Sequence, residues 1–151
     1  RFLEMYREDL EVPLILFENG KKKFFKNEII DSMDMVKIFL NKLGIKKFPK
    51  CFKGQLLNKS KKNFVISEHA GRGSADTILN NLYFVITKKN EKLVVELEKN
   101  LIKPIAFFNL KKDPNEQENL INEKTTKKKI NPLLKNLYQE RGSLIKKRMS
   151  I

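Results

Sequence analysis

The sequence predicts an α/β architecture: one core strand and one helix, then a small antiparallel sheet with packing helices. Three observations predict it. Val12 to Phe17 is an uninterrupted apolar run. Asn27 to Leu43 repeats apolar residues at spacings of three and four. Beyond residue 60, short apolar segments alternate with polar turns before helical patterns resume.

Arg1 to Glu11 is charged and amphipathic and leads directly into the first strand. Val12-Pro13-Leu14-Ile15-Leu16-Phe17 has the pattern of a strand covered on both faces in a mainly parallel sheet. Pro13 is tolerable at its beginning, and Glu18-Asn19-Gly20 supplies turn chemistry after it. The helix over 27–43 carries Ile29, Met33, Val36, Leu40 and Leu43 in one stripe, with Asn27 as N-cap and Glu28 in the first turn. Gly44 stops it, because the residue past a helix end commonly needs a left-handed conformation.

Lys46 to Lys62 reads as loop. Strands are expected at Asn63 to Ser67, Leu79 to Thr87, Leu93 to Leu97 and Ile105 to Leu110, with Lys88-Lys89-Asn90 as a hairpin turn. Asp113-Pro114-Asn115-Glu116 has the form of a helix start: a cap, a proline at the first position and a capping-box carboxylate. A last amphipathic helix is expected from Asn131 to Glu140, with Leu133, Leu134, Leu137 and Tyr138 on its apolar side and a frayed tail from Lys146. Two domains follow, 1–60 and 61–151.

Composition bounds the function. The chain has 151 residues, enough for a real core, with 40% hydrophobic and 33% charged residues. No apolar run reaches the length of a membrane span, and no membrane partner is expected. The net charge is +14, nearly all from lysine. A basic α/β module binding nucleic acid or another polyanion is therefore the alternative function. The lysines are scattered in short runs, however, without an aromatic-interleaved RNA motif or zinc-finger spacing, so a solvated lysine-rich surface is the preferred reading and no nucleic acid is expected. Cys51 is the one cysteine and forms no internal disulfide. His69 is the one histidine, so a metal site built from several His or Cys is excluded within this segment.

Three stretches resemble the C-terminal portion of the sulfatase family, in the alkaline phosphatase superfamily. Tyr6-Arg7-Glu8-Asp9-Leu10-Glu11-Val12-Pro13-Leu14-Ile15 is similar to the segment after that family's Asp-His-Gly metal motif. Asn27 to Gly44 resembles the helix that follows, with Asp34 at the family's usual aspartate. Phe108-Asn109-Leu110-Lys111-Lys112-Asp113-Pro114-Asn115-Glu116-Gln117-Glu118-Asn119-Leu120 resembles its Asp-Pro, Glu, Asn-Leu signature. The resemblance implies an alkaline phosphatase-like fold and hydrolysis of sulfate or phosphate esters. It also implies a formylglycine nucleophile and a divalent cation, commonly calcium, both in upstream residues. Cys51-Phe52-Lys53-Gly54-Gln55 lacks the Pro and Arg of the formylglycine motif, so Cys51 is not the nucleophile. Phe2, with Arg1 adjacent, stands where many sulfatases place a catalytic lysine. No catalytic residue and no metal ligand is expected here. The natural N-terminus is expected upstream, which leaves the cytoplasm and the periplasm both open.

One stretch is chemically suggestive, Ser67-Glu68-His69-Ala70-Gly71-Arg72-Gly73, where a strand end meets a glycine-bearing loop. Glu68, His69 and Arg72 are the candidate substrate-binding residues for a small anionic ester. Arg72 offers a planar fork for sulfate, phosphate or carboxylate, and His69 a proton donor or acceptor. The alternative is a structural loop in which Arg72 pairs with Glu68 or Asp76.

Overall fold

The computed structural model describes residues 5–25, 29–56, 63–70, 82–98 and 101–149. Chain contacts divide into two compact units, one from Pro13 to Val65 and one combining the residues up to Val12 with those from Ile66 onward.

In the 13–65 unit, β1 (Ile15–Glu18) and β2 (Lys21–Phe24) form an antiparallel two-stranded hairpin, with Glu18 opposite Lys21. Asn19 and Gly20 form its loop, both with positive φ, 50° and 73°, as a two-residue hairpin of matching twist requires. The expected strand covered on both faces is corrected here. The strand begins at Ile15, its partner is antiparallel, and Val12 and Phe17 are 81% and 70% exposed.

In the same unit, α1 (Ser32–Lys42) starts five residues later than the apolar spacing predicts. Asp31 captures the start. Its Oδ1 accepts from the backbone of Met33 (2.9 Å) and Asp34 (3.2 Å), while Asp34 Oδ2 accepts from the Asp31 backbone at 3.0 Å, closing a capping box. The expected cap, Asn27, and Glu28 lie outside the described residues. Gly44 ends the helix as expected: its φ is 82°, and Ile45 N–H reaches back to Leu40 O at 3.0 Å. Asp34 is buried, and its second oxygen accepts from Gln55 N–H at 2.7 Å, fastening the 49–56 loop to the helix. Gly54 makes that approach possible, since a Cβ there would stand 2.0 Å from Met33 O.

The other unit is built on a four-stranded sheet in spatial order β3 (Val65–Ala70), β4 (Leu82–Lys88), β5 (Glu91–Glu98), β6 (Leu101–Asn109). β4–β5 and β5–β6 are antiparallel, and Lys89-Asn90 forms the expected hairpin loop with Lys89 at φ 53°. Alternation puts Val85, Val94, Ala106 and Phe108 on one face, packed with Met5 and Leu10. The opposite faces of β4 and β5 carry Phe84, Ile86, Leu93 and Val95, all fully buried. α2 (Lys127–Met149) packs against β4 and buries Leu133, Leu137 and Ile145. Pro104 sits in edge strand β6 beside a bulge, where its missing N–H is tolerated.

Two helix expectations are corrected in this unit. Asp113-Pro114-Asn115-Glu116 starts no helix; Pro114 and Asn115 form a single turn, and residues 116–120 run on without regular structure. Asp113 Oδ2 does accept a backbone bond, from Glu118 at 2.9 Å, but Glu116 takes φ 55°, which a helix start forbids. Its carboxylate is drawn inward to Lys92 at 2.6 Å instead of capping. The last helix runs from Lys127, four residues before the expected start and well beyond Glu140. Thr126 O takes its first backbone bonds, from Lys129 and Ile130, so Pro132 falls inside the helix rather than at its first position.

The edge of β6 is covered by side-chain mimicry of a strand. Asn119 Oδ1 accepts from Phe107 N–H (3.0 Å), Asn119 Nδ2 donates to Ile105 O (3.1 Å), and Leu120 N–H reaches Phe107 O (2.9 Å). An open edge would otherwise present unpaired groups to other chains.

Candidate functional site

Glu68 and His69 are neighbours near the end of β3, so their side chains leave opposite faces of the sheet. Glu68 pairs with the Arg141 guanidinium of α2. His69 lies beside Tyr83 of β4, ring centroids 6.4 Å apart and tilted by 35°. Tyr83 donates from its hydroxyl to Glu96 Oε1 at 2.9 Å, directly across the β4–β5 ladder. Arg72, Gly71, Gly73 and Asp76 lie outside the described residues. The described geometry thus brings neither Glu68 nor His69 to the other. It supplies Glu68 with Arg141, a partner 73 positions away that no local motif announces.

Sequence reasoning missed the most enclosed charge cluster. Lys92 of β5 is 2% exposed. Its ammonium donates to Met5 O and Glu116 Oε2, each at 2.6 Å, and stands 6.0 Å from the Tyr6 ring. Lys92 opens a run of four consecutive buried residues, Lys92 to Val95, and the available signal was a lysine adjoining the apolar Leu93-Val94-Val95. The cluster fastens the Met5–Tyr6 and 113–120 segments to one face of the sheet. Its geometry is that of a clamp.

No group of three or more His, Cys, Asp or Glu stands close enough to hold a metal among the described residues. Cys51 is exposed. No described helix is long and apolar enough to cross a membrane.

No protein-family model matches the chain, and no curated protein matches it. Solved structures do. BT1596, a 2-O GAG sulfatase, superposes with a TM-score of 0.59 at 19% identity, over 75% of this chain and 24% of its own. A protein of Bacteroides thetaiotaomicron VPI-5482 described as a sulfatase gives 0.58 at 20% identity, over 75% and 24%. The fold is that of the C-terminal part of a sulfatase. BT4656, solved with its substrate D-glucosamine-2-N,6-O-disulfate, gives 0.57 at 18% identity, over 72% of this chain and 23% of its own. The chain therefore spans about a quarter of the length of the sulfatase structures it matches. At these identities the likeness is one of fold.

Proposed function

We propose that this chain is the C-terminal part of a sulfatase-like hydrolase acting on sulfate or phosphate esters, with its nucleophile and metal ligands upstream. The observation that carries the reading is the superposition on sulfatases over 72% to 75% of the chain. A second feature supports it. The amphipathic stripe of α1 faces outward: Met33, Val36, Phe39 and Leu43 are exposed, while Asp34 and Ile38 opposite them are buried. An apolar stripe left bare is a face awaiting cover.

Ester hydrolysis at an anionic sulfur or phosphorus needs an activated nucleophile and a charge clamp on the ester oxygens. In this reading a divalent cation, calcium, and a formylglycine carried by the upstream part supply these, as the resemblance to sulfatases implies. This segment's contribution is substrate binding, with Arg72 as the anion-directed group. Glu68 holds Arg141, and His69 borders Tyr83 near the same strand end.

The test is hydrolysis of 4-nitrophenyl sulfate and 4-nitrophenyl phosphate. The protein including its upstream residues should turn over one of them, and residues 1–151 alone should turn over neither. Turnover by the isolated chain, or none by the longer protein, would overturn the reading. In the longer protein Arg72→Ala should raise KM for the anionic ester about tenfold or more.

A further inference from the structure

We propose that the outer face of α2 binds a sulfated polysaccharide; this rests on the hydrolase reading above. Lys128, Lys135 and Gly142 recur every seven residues, and Lys146 follows one turn later. At 3.6 residues per turn these four positions fall within about 40° of one another, along roughly 27 Å of helix. Lys128, Lys135 and Lys146 are exposed and carry no hydrogen bond or ion pair among the described residues. Two basic positions off this line differ, since Lys129 pairs with Glu91 at 3.2 Å and Arg141 with Glu68, while Lys127 is exposed about 100° away around the helix. Glu140 is the helix's one acidic residue.

Gly142 is the second observation. Glycine inside a helix costs about 1 kcal/mol relative to alanine. Nothing local requires it: its φ is not positive, and a Cβ would meet no atom within 4 Å. Its effect is to leave a notch in the lysine stripe, one turn after Tyr138, which is 50% exposed. The notch has an aromatic ring at one side and an ammonium group before and after it. An aromatic body takes the apolar face of a sugar ring. Ammonium groups spaced along the helix take successive sulfates as point charges. Single-stranded nucleic acid needs a succession of aromatic platforms, and this face offers one.

The test is binding of heparin and of a DNA duplex to the protein including its upstream residues, at two salt concentrations. Lys128→Gln/Lys135→Gln/Lys146→Gln should weaken heparin binding at least tenfold and flatten its salt dependence. Lys111→Gln/Lys112→Gln/Lys124→Gln removes equal charge elsewhere and should change it less than about twofold. Gly142→Gln fills the notch with a better helix former, so heparin binding should fall severalfold while thermal stability holds or rises. Equal losses from the two triple variants, DNA binding as tight as heparin, or no effect of Gly142→Gln would overturn the proposal. Aryl ester hydrolysis separates the two readings. Hydrolysis without heparin binding removes this surface alone, and stripe-dependent heparin binding without hydrolysis removes the hydrolase reading alone.

Discussion

At the scale of single residues, Lys92 and Glu116 show why burial must be read with partners. Lys92 Nζ has two oxygens at 2.6 Å, but Glu116 Oε1 is buried without a hydrogen-bond partner. Removing one charge strands the other. Lys92→Met should therefore destabilise by about 3–5 kcal/mol, and adding Glu116→Gln should recover part of that loss. Urea denaturation of the four forms measures the coupling, and strictly additive losses would contradict it. Asp113 behaves differently because it lies at the surface. Backbone N–H bonds from Glu118 and then Gln117 hold its carboxyl below the usual carboxylate range. A depressed folded pKa means the unfolded state binds the proton more readily. This contribution is present above about pH 4 and is lost as pH falls through the folded value. Asp113→Asn should reduce the acid sensitivity of the melting temperature in that window, and an unaltered acid limb would argue against it.

Among the elements, local chemistry competes with periodicity. The stripe from Ile29 to Leu43 gave helix type and C-terminus correctly, since Gly44 closes the end. It misplaced the start, because Asp31, four residues after the expected cap Asn27, is the residue that satisfies the first-turn donors. Asn19-Gly20 was the strongest short-range hairpin signal in the chain, yet Lys21 to Phe24 hides strand character behind three lysines. Close contact is as demanding as capping. Gly54→Ala should cost about 3 kcal/mol, at the upper end for overpacking, because its Cβ would meet Met33 O. Asn119→Ala uncovers the β6 edge and should cost about 1–2 kcal/mol and raise the rate of aggregation. Chemical denaturation and light scattering test these two.

At the scale of the whole molecule, the question is what covers the bare stripe of α1. Phe39 and Leu43 are 63% and 62% exposed. Under the proposed function, Phe39→Lys/Leu43→Lys should leave the isolated chain folded and more soluble. The same pair should destabilise the longer protein by roughly 1.5–3 kcal/mol for each side chain that is buried there. Equal melting shifts in the two forms would show that the stripe stays uncovered.

The sequence by itself determined the α/β class, the four strand positions of the sheet, the stop of α1 at Gly44 and the resemblance that the solved sulfatases share as a fold. Those features rest on local terms: alternation, three-and-four spacing and the left-handed freedom of glycine. Tertiary structure alone decided that Glu116 leaves its capping role for Lys92, that Glu68 meets Arg141 and that Asn119 closes the β6 edge. Each joins residues far apart in the chain. A buried charge takes the partner that desolvation leaves within reach, whichever segment supplies it.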